Sequence, residues 1–514
     1  MLRDFLPVLA LMSRIIVAFA FAFVVPIVWA WFEDDSFDLL VWEGGFVFTL
    51  LSGLLLWGLT RRHRRELLAR DGFLLVNLVW LVLPAYSALP LMFSVPDITW
   101  TQAYFEAMSA LTATGATALS GLDALPVSVN VWRCFLQLIG GLGIMLLVVA
   151  VLPLLGLGGM QLYRAETPGP MKDAKFTPRI AETARGLWGV YFLFSLACFL
   201  AYRWAGMSWA DAFMHMCTTM GLGGFSSHDA SLGHFDSPAI ESVAIVFMTL
   251  AGISFLRYFM VLRSRSLRPI SGDREIRVYL AVLAASTMVV TLLLLAHGVY
   301  DDALEALRVS AFHVVSLATT TGYAATDYSQ WPVFAPVLLL FLGCFASCAG
   351  STGGGIKMVR MILLVKQARR ELVRIIHPRV VNPVTLGGAV IPMPVMTAVL
   401  GFMLIYGAAT VGLSMLLLFS GLDVVTAFSA VVATVNNIGP GLGQVGPSGN
   451  FGSLSAFQTW VLSFAMLLGR LELLSVLVLL TGQFWSLKAT IHFFMLPSAL
   501  RPCVGHRWNR TRGP

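Results

Sequence analysis

Four short stretches rich in threonine and glycine recur along the chain, and each follows a semi-apolar segment too short to cross a bilayer. When these segments are aligned on Phe105, Phe213, Phe312 and Phe428, a glycine follows 10 or 11 residues later in every case. The glycines lie 109, 98 and 117 residues apart, at Gly115, Gly224, Gly322 and Gly439. Self-similarity at a nearly fixed period indicates repeated structural units. The sequence therefore predicts four copies of one unit: span, short helix, turn, span.

The chemistry open to such turns is the coordination of a cation by backbone carbonyls. Non-helical backbone at membrane depth is tolerated only where protein buries it or where it lines a water-filled cavity. Four turns around one axis could point carbonyls inward and replace the hydration shell of a permeating ion, and glycine permits the close approach. Any single turn could equally be a packing contact between membrane helices, but the fourfold recurrence favours a pore.

The short helices have a polarity that suits this interpretation. A re-entrant helix that descends from outside directs its C-terminal partial negative charge toward the membrane centre, where it attracts cations. Acidic residues complement the opposite ends of three of these helices, at Asp211, Asp302 and Asp423.

A glycine-rich interruption divides the eighth apolar run, which reads CAGSTGGGIK at 348–357. Each glycine within a helix costs about 1 kcal/mol relative to alanine, so this run should break there. Lys357, at the end of the interruption, has two open interpretations: a charge facing a pore, or the cytoplasmic border of the broken span.

Arg470 lies near the middle of the last apolar run. A centred arginine costs roughly 2.5–3.5 kcal/mol on insertion scales, so it should face protein or water. Glu472 would lie about 200° around a continuous helix and could not pair with it. Arg470 is thus expected to face a pore, and the alternative is a carboxylate on a neighbouring helix.

The elements that must position these residues are membrane helices. Of the 514 residues, 58% are apolar and 12% charged, about half the charge of a soluble domain. Apolar runs of about 20 residues, long enough to span a bilayer, predict ten spans, near 8–31, 40–60, 72–94, 131–155, 184–205, 238–262, 277–298, 332–375 (interrupted), 393–419 and 455–485. An even number agrees with both termini being cytoplasmic.

The basic residues lie in clusters between the runs, whereas residues 95–130, 206–240 and 420–455 contain no Lys or Arg. The positive-inside rule assigns the clusters to the cytoplasm and the bare stretches to the outside. The basic residues behind the net charge of +7 thus orient the protein in the membrane and contact anionic lipid, so the charge does not indicate nucleic-acid binding. The clusters centre on Arg61–Arg70, Arg164–Arg179, Arg263–Arg277, Lys357–Arg379 and Lys488–Arg512.

Other chemistry finds little support. The six cysteines lie mostly in apolar runs without paired spacing, as expected of small buried residues. His215 and Cys217 lack further ligands at metal spacing, and no phosphate-binding loop is present. The sequence therefore indicates a protein that is not an enzyme and has no cofactor on this chain.

The repeats resemble the Trk/Ktr/HKT potassium transporter superfamily. The stretches GGFSSHDASLGHFDSP (223–238) and MLLGRLELLSVLVLL (466–480) closely resemble the membrane subunit of bacterial Trk potassium uptake systems. The resemblance covers essentially the whole chain. It implies potassium uptake through a filter of backbone carbonyls, formed by Ala113, Thr114, Gly115, Leu222, Gly223, Gly224, Thr320, Thr321, Gly322, Asn437, Ile438 and Gly439.

The resemblance implies further properties. In plant relatives a serine at the first filter position accompanies sodium transport, and here that position is Gly115. The loop with Gly350, Ser351, Thr352, Gly353, Gly354 and Gly355 would obstruct the pore, and Arg470 would project into it below the filter. The family also implies a homodimer and a cytosolic regulatory subunit (TrkA-like) that binds NAD or ATP, with the chain in the bacterial inner membrane.

The expected fold is an all-α polytopic membrane protein with four repeated units around a pseudo-fourfold pore. The predicted divisions are 1–70 (two N-terminal spans), the repeats 71–160, 161–268, 269–380 and 381–487, and a cytoplasmic tail at 488–514. The competing interpretation is a cation-coupled symporter with a midplane site. Such folds usually have two inverted halves, which the four glycines disfavour.

Overall fold

The computed structural model describes residues 2–62, 68–150 and 176–485. The predicted tail at 488–514 and most of the second basic cluster lie outside these ranges. Within them the chain is almost wholly helical, as predicted. One two-stranded antiparallel sheet joins Thr385–Leu386 to Ala389–Val390, with Thr385 opposite Val390.

Seven helical segments in the described ranges are long and apolar enough to cross a membrane. The first runs through Leu2–Ala20, the 3-10 turn Phe21–Phe23 and Val24–Phe32. The others are Ser36–Thr60, Ala69–Ser94, Val127–Ala150, Phe176–Trp204, Arg274–Ala296 and Met393–Phe419. They match seven of the ten predicted spans.

Two further spans are sharply bent, which the sequence reading did not anticipate. Pro238–Ala251 meets Phe255–Ser264 at 82°, and Ala456–Arg470 meets Leu474–Leu477 (with the 3-10 turn Val478–Leu480) at 109°. At the second bend, Glu472 and Leu473 both have positive φ, 55° and 48°. Non-glycine residues rarely adopt this region, and it ends the helix.

The eighth predicted span has a different form. The helix Phe334–Phe345 is followed by non-helical residues 346–357, which we call the glycine loop, and then by Met358–Ile376. Met358–Ile376 carries all the basic residues of the fourth cluster except Lys357 and Arg379, so it lacks the apolar length of a span. The described residues thus hold seven spans, or nine with each bent pair as one, instead of ten.

Four short helices lie inside this set of spans: Trp100–Leu111, Trp209–Gly221, Ala303–Ala318 and Val424–Val435. The first has 12 residues and is about 18 Å long, too short for a hydrocarbon core of about 30 Å. Each begins at a capping residue whose side chain accepts a hydrogen bond from a backbone N–H in the first turn of the helix. The four capping residues are Thr99, Ser208, Asp302 and Asp423. Asp211 lies one turn inside the second helix, bonded to its cap Ser208.

Burial is inverted relative to a soluble protein. The short helices are buried over most of their length, as at every residue from Ala103 to Leu111, and large exposed side chains lie mainly in their first turns, such as Trp209, Leu304 and Val424. The long spans instead expose large apolar side chains, including Leu404 at 76% and Phe419 at 90%. Contiguous exposed apolar surface of this kind marks a membrane contact, so the chain is a multi-pass membrane protein with the short helices at its centre. The remaining short elements are Arg268–Ser271, Gly482–Trp485, Leu122–Ala124, Ser231–Phe235, Tyr328–Gln330 and Gly443–Val445.

Candidate functional site

The four short helices end in the same backbone motif. In the first, the N–H of Ala113 bonds to the Ala110 carbonyl and the N–H of Thr114 to the Ser109 carbonyl, which is a Schellman motif. The same pair of bonds occurs in the other three turns. The residue in the left-handed conformation is usually glycine, but here it is Ala113, Leu222, Thr320 or Asn437, with φ of 50°, 51°, 62° and 54°.

The glycine two residues later also has positive φ in every turn, between 74° and 101°. The sign of φ therefore alternates over the three predicted filter residues of each turn. Each left-handed non-glycine residue costs about 1–2 kcal/mol. Strain of this kind persists where surrounding structure over-determines it, typically at functional sites. Its fourfold recurrence makes the turns the candidate site.

The turns close into a ring, as the space around each glycine demonstrates. A Cβ on Gly115 would lie 2.1 Å from the Gly223 carbonyl oxygen of the second turn. A Cβ on Gly224 would lie 1.9 Å from the Thr321 oxygen, and one on Gly322 would lie 2.0 Å from the Ile438 oxygen.

The ring is completed at Gly439, where a Cβ would lie 2.8 Å from the Thr114 oxygen of the first turn. Each glycine therefore abuts the carbonyl preceding the glycine of the next repeat, in the order first, second, third, fourth, first. Eight of the twelve predicted filter residues make these close approaches, namely the four glycines and the four residues that precede them, and none of the twelve has a charged side chain. The ligands that such a ring offers to a cation are oxygen dipoles.

A cavity of about 90 Å³ opens on the outer side of the ring, the side predicted to face outward. Three of the ring glycines line it, together with Pro440 of the fourth repeat. All four repeats thus contribute to one mouth.

Buried polar side chains brace the turns from behind. Glu106, nine residues before Gly115, accepts bonds from the Ala118 N–H and from Arg133, whose Nη2 lies 2.8 Å from Glu106 Oε1. His313, nine residues before Gly322, has its Nε2 3.2 Å from the Ala325 nitrogen. The equivalent His215 contacts Ser226 Oγ at 3.0 Å. The histidine at 215 thus holds a turn and belongs to no metal cluster found in the described residues.

Gln137 is a functional candidate that the sequence reading missed. Its Nε2 donates to the Gly223 carbonyl at 2.8 Å, and its Oε1 accepts from the Phe225 N–H at 3.2 Å. The side chain is fully buried on the span Val127–Ala150. Gln137 thus donates a hydrogen bond to a ring carbonyl and holds the second turn in place. In the sequence, its polar side chain within an apolar span was the only feature that could have indicated this role.

The glycine loop lies against the inner ends of three short helices. Thr352 Oγ1 donates to the Met220 carbonyl at 3.0 Å, and the Gly354 N–H donates to Thr320 Oγ1 at 2.8 Å. A Cβ on Gly354 would lie 2.0 Å from the Asn436 carbonyl oxygen. Only glycine permits this approach, so the loop sits directly beneath the ring.

Arg470 is buried and contacts the glycine loop. Its Nη1 donates to the Thr352 carbonyl at 3.0 Å and its Nη2 to the Gly140 carbonyl at 2.8 Å. Among the described residues no carboxylate lies within ion-pair distance of Arg470; Glu472 instead pairs with Arg360 at 2.5 Å. Lys357 is partly buried and donates from Nζ to the Gly353 carbonyl.

Comparison with known proteins agrees with this architecture. The family model TrkH, described as cation transport protein, matches residues 41–487. The Trk system potassium uptake protein TrkH of Escherichia coli K12 is 46% identical over 441 residues, 86% of this chain and 91% of the relative. TrkH of Halomonas elongata is 42% identical over 480 residues, covering 93% and 98%.

Among solved structures, the potassium transporter TrkH from Vibrio parahaemolyticus superposes with a TM-score of 0.87 at 40% identity. The match covers 94% of this chain and all of that one. These similarities extend over nearly the whole length of both proteins. The chain therefore belongs to the TrkH family of membrane cation transporters.

Proposed function

We propose that this chain carries potassium into the cell through the ring of four turns. The observation that carries the proposal is the closure of the ring, in which each glycine abuts a carbonyl of the next repeat. A ring of oxygen dipoles replaces the hydration shell of a cation. Relatives at 42–46% identity are named potassium uptake proteins, and Gly115 at the first position favours potassium over sodium.

The glycine loop and Arg470 act as the gate of this pathway. The loop contacts the inner ends of the second, third and fourth short helices, where an ion leaving the ring would pass. Arg470 links Thr352 of the loop to Gly140 of the first repeat. Its fixed positive charge beneath the ring raises the barrier for cations, and Lys357 at the end of the loop adds to it.

The chain works as a homodimer in the bacterial inner membrane, with both termini cytoplasmic and each of the four repeats contributing one turn. A cytosolic regulatory subunit (TrkA-like) binds NAD or ATP and contacts the basic inner face. The helix Met358–Ile376 supports this assignment, because it begins at the end of the glycine loop and presents exposed Arg369 and Arg374. A partner that pulled on this helix would act on the loop directly.

Rubidium uptake into proteoliposomes tests the pathway. We expect potassium-competed uptake by the wild type, and relaxation toward sodium in Gly115→Ser, whose new side chain would meet the Gly223 carbonyl. Uptake that is absent in the wild type, or selectivity that Gly115→Ser leaves unaltered, would assign the turns to packing and move the search to another substrate.

The gate is tested in the same vesicles by Arg470→Ala and by deletion of 350–354, both of which should raise the rate. Arg203→Ala is the matched control, because Arg203 is an exposed arginine that also donates to a carbonyl, that of Met207. If uptake by Arg470→Ala is no faster than uptake by Arg203→Ala, Arg470 is not part of the gate.

A further inference from the structure

Three side chains with metal-binding atoms meet at the outer mouth of the ring. They are Asp123, which follows the first turn, and His228 and His234, which follow the second. Their ligand atoms all lie within 4.8 Å of one another. Asp123 Oδ1 is 2.5 Å from His228 Nδ1 and 3.8 Å from His234 Nδ1. The two imidazole rings are parallel, with centroids 3.5 Å apart, so both present Nδ1 to the same carboxylate.

The cluster is held in place from behind. The second oxygen of Asp123 accepts the N–H of Asp229 at 3.1 Å, which leaves Oδ1 directed at the histidines. His228 Nε2 faces Asp211 Oδ1 at 3.3 Å, and Asp211 is itself fixed by Ser227 at 2.9 Å. A carboxylate behind the far nitrogen of a histidine is the usual outer-shell partner of a metal ligand, because it orients the ring and raises its basicity.

We propose that Asp123, His228 and His234 bind a transition-metal dication of the Zn²⁺ type. Two imidazoles and one carboxylate, with a fourth position open to water, are a set that zinc favours, whereas magnesium and calcium prefer oxygen ligands. The side chains of Asp123 and His234 are 48% and 45% exposed, so an ion can enter from solvent and keep a water ligand. Ligands of tetrahedral zinc lie about 3.3 Å apart at bond lengths of about 2.0 Å, so the three ligand atoms, now within 4.8 Å of one another, would adjust and the two parallel histidine rings would turn apart on binding.

A bound dication would also oppose cation entry, an effect that rests on the proposed function. His228 lines the same cavity as three of the ring glycines, so a double positive charge there faces an incoming ion. In addition, the metal would tie the segment after the first turn to the segment after the second. Both effects lower potassium uptake when zinc is present on the outer side.

Zinc binding is tested on the purified full chain, freed of metal by a chelator and titrated with zinc at pH 8 so that the imidazoles are largely neutral. Calorimetry and metal counting by mass spectrometry should give one more bound zinc in the wild type than in His234→Gln or Asp123→Asn. His297→Gln is the matched control, because His297 is an exposed histidine at the end of another span. Equal zinc content in the wild type and both cluster variants would overturn the site.

The effect on uptake is tested separately with rubidium-loaded medium and zinc on the outer side. We expect zinc to slow the wild type reversibly by threefold or more, on the order of what a nearby charge does to cation entry, and to leave His234→Gln unaffected. Zinc that binds the wild type without slowing it would overturn the inhibition. Wild-type vesicles that take up no rubidium even without zinc would instead contradict the proposed function, while the zinc count would still decide the site.

Discussion

Alanine at each ring glycine should damage uptake in an order set by the space at that position. All four glycines have positive φ, so alanine costs about 1–2 kcal/mol in backbone strain at each. At Gly224 and Gly322, however, the new methyl would also lie 1.9 and 2.0 Å from a neighbouring carbonyl oxygen. That oxygen would have to retreat by well over 1 Å to reach an ordinary contact of about 3.5 Å.

The fourth glycine offers more room, and a control is available outside the ring. A methyl on Gly439 would lie 2.8 Å from the nearest oxygen, so the neighbour must move least there. Gly421 has φ of 96° and nothing within 4 Å of a Cβ, so Gly421→Ala carries the backbone strain alone. Overpacking a tight site adds about 1–3 kcal/mol, and each 1.4 kcal/mol is a factor of about ten.

We therefore expect rubidium uptake to fall about tenfold or more in Gly115→Ala, Gly224→Ala and Gly322→Ala relative to Gly421→Ala. Gly439→Ala should fall between the two groups. The assay is uptake into proteoliposomes at matched protein content, with thermal unfolding in detergent to confirm folding. Uptake in Gly421→Ala as low as in Gly224→Ala would show that backbone strain alone explains the loss. A greater loss in Gly439→Ala than in the other three would contradict the ring geometry itself.

Two further substitutions probe the braces behind the ring. Arg133→Ala leaves Glu106 buried without the partner that lies 2.8 Å away, so the free energy of unfolding should fall by about 3–5 kcal/mol and the unfolding temperature in detergent should drop. Arg133→Lys should recover part of that drop, and an unchanged unfolding temperature in Arg133→Ala would show that the pair contributes no net stability. Gln137→Met keeps the side-chain volume but removes the hydrogen bonds to Gly223 and Phe225, so rubidium-over-sodium selectivity should fall while the unfolding temperature shifts less than in Arg133→Ala. If selectivity is unchanged, Gln137 is a packing residue only.

The sequence predicted the parts of the site that repeat within it. Gly115 and its three equivalents lie 10 or 11 residues after a phenylalanine, and the short apolar segments before them could not span a bilayer. Local pattern was sufficient because one structural unit recurs four times. The fold class followed for the same reason, since span length and charge clustering are properties of contiguous residues.

The parts that the sequence did not reveal depend on contacts between repeats. Gln137 reaches Gly223 across 86 residues, and Asp123 reaches His228 across 105. No periodicity in one repeat records which face of a neighbouring repeat it will meet. The proposed metal site at Asp123 therefore could not be predicted from the spacing of His228 and His234 alone.

The bend after Arg470 illustrates how a distant contact overrides local helix preference, and it bears on how the proposed gate would move. Leucine and glutamate favour helix, so a continuous span through Glu472 was the expectation from sequence. In the structure the helix ends at Arg470, and Glu472 turns to pair with Arg360 at 2.5 Å. Arg470 holds the glycine loop at Thr352, while Glu472 holds the helix that follows the loop.

The last span therefore contacts the proposed gate at two points, Thr352 within the glycine loop and Arg360 beyond it. Moving the loop alone would break the Arg470 contacts with Thr352 and Gly140, which would leave a buried guanidinium without acceptors at a cost of several kcal/mol. Moving Met358–Ile376 and the segment after Arg470 together keeps the Arg360–Glu472 pair intact. A pull on the basic helix should thus carry the end of the last span with it, because this concerted movement costs less than one that also breaks the Arg360–Glu472 pair.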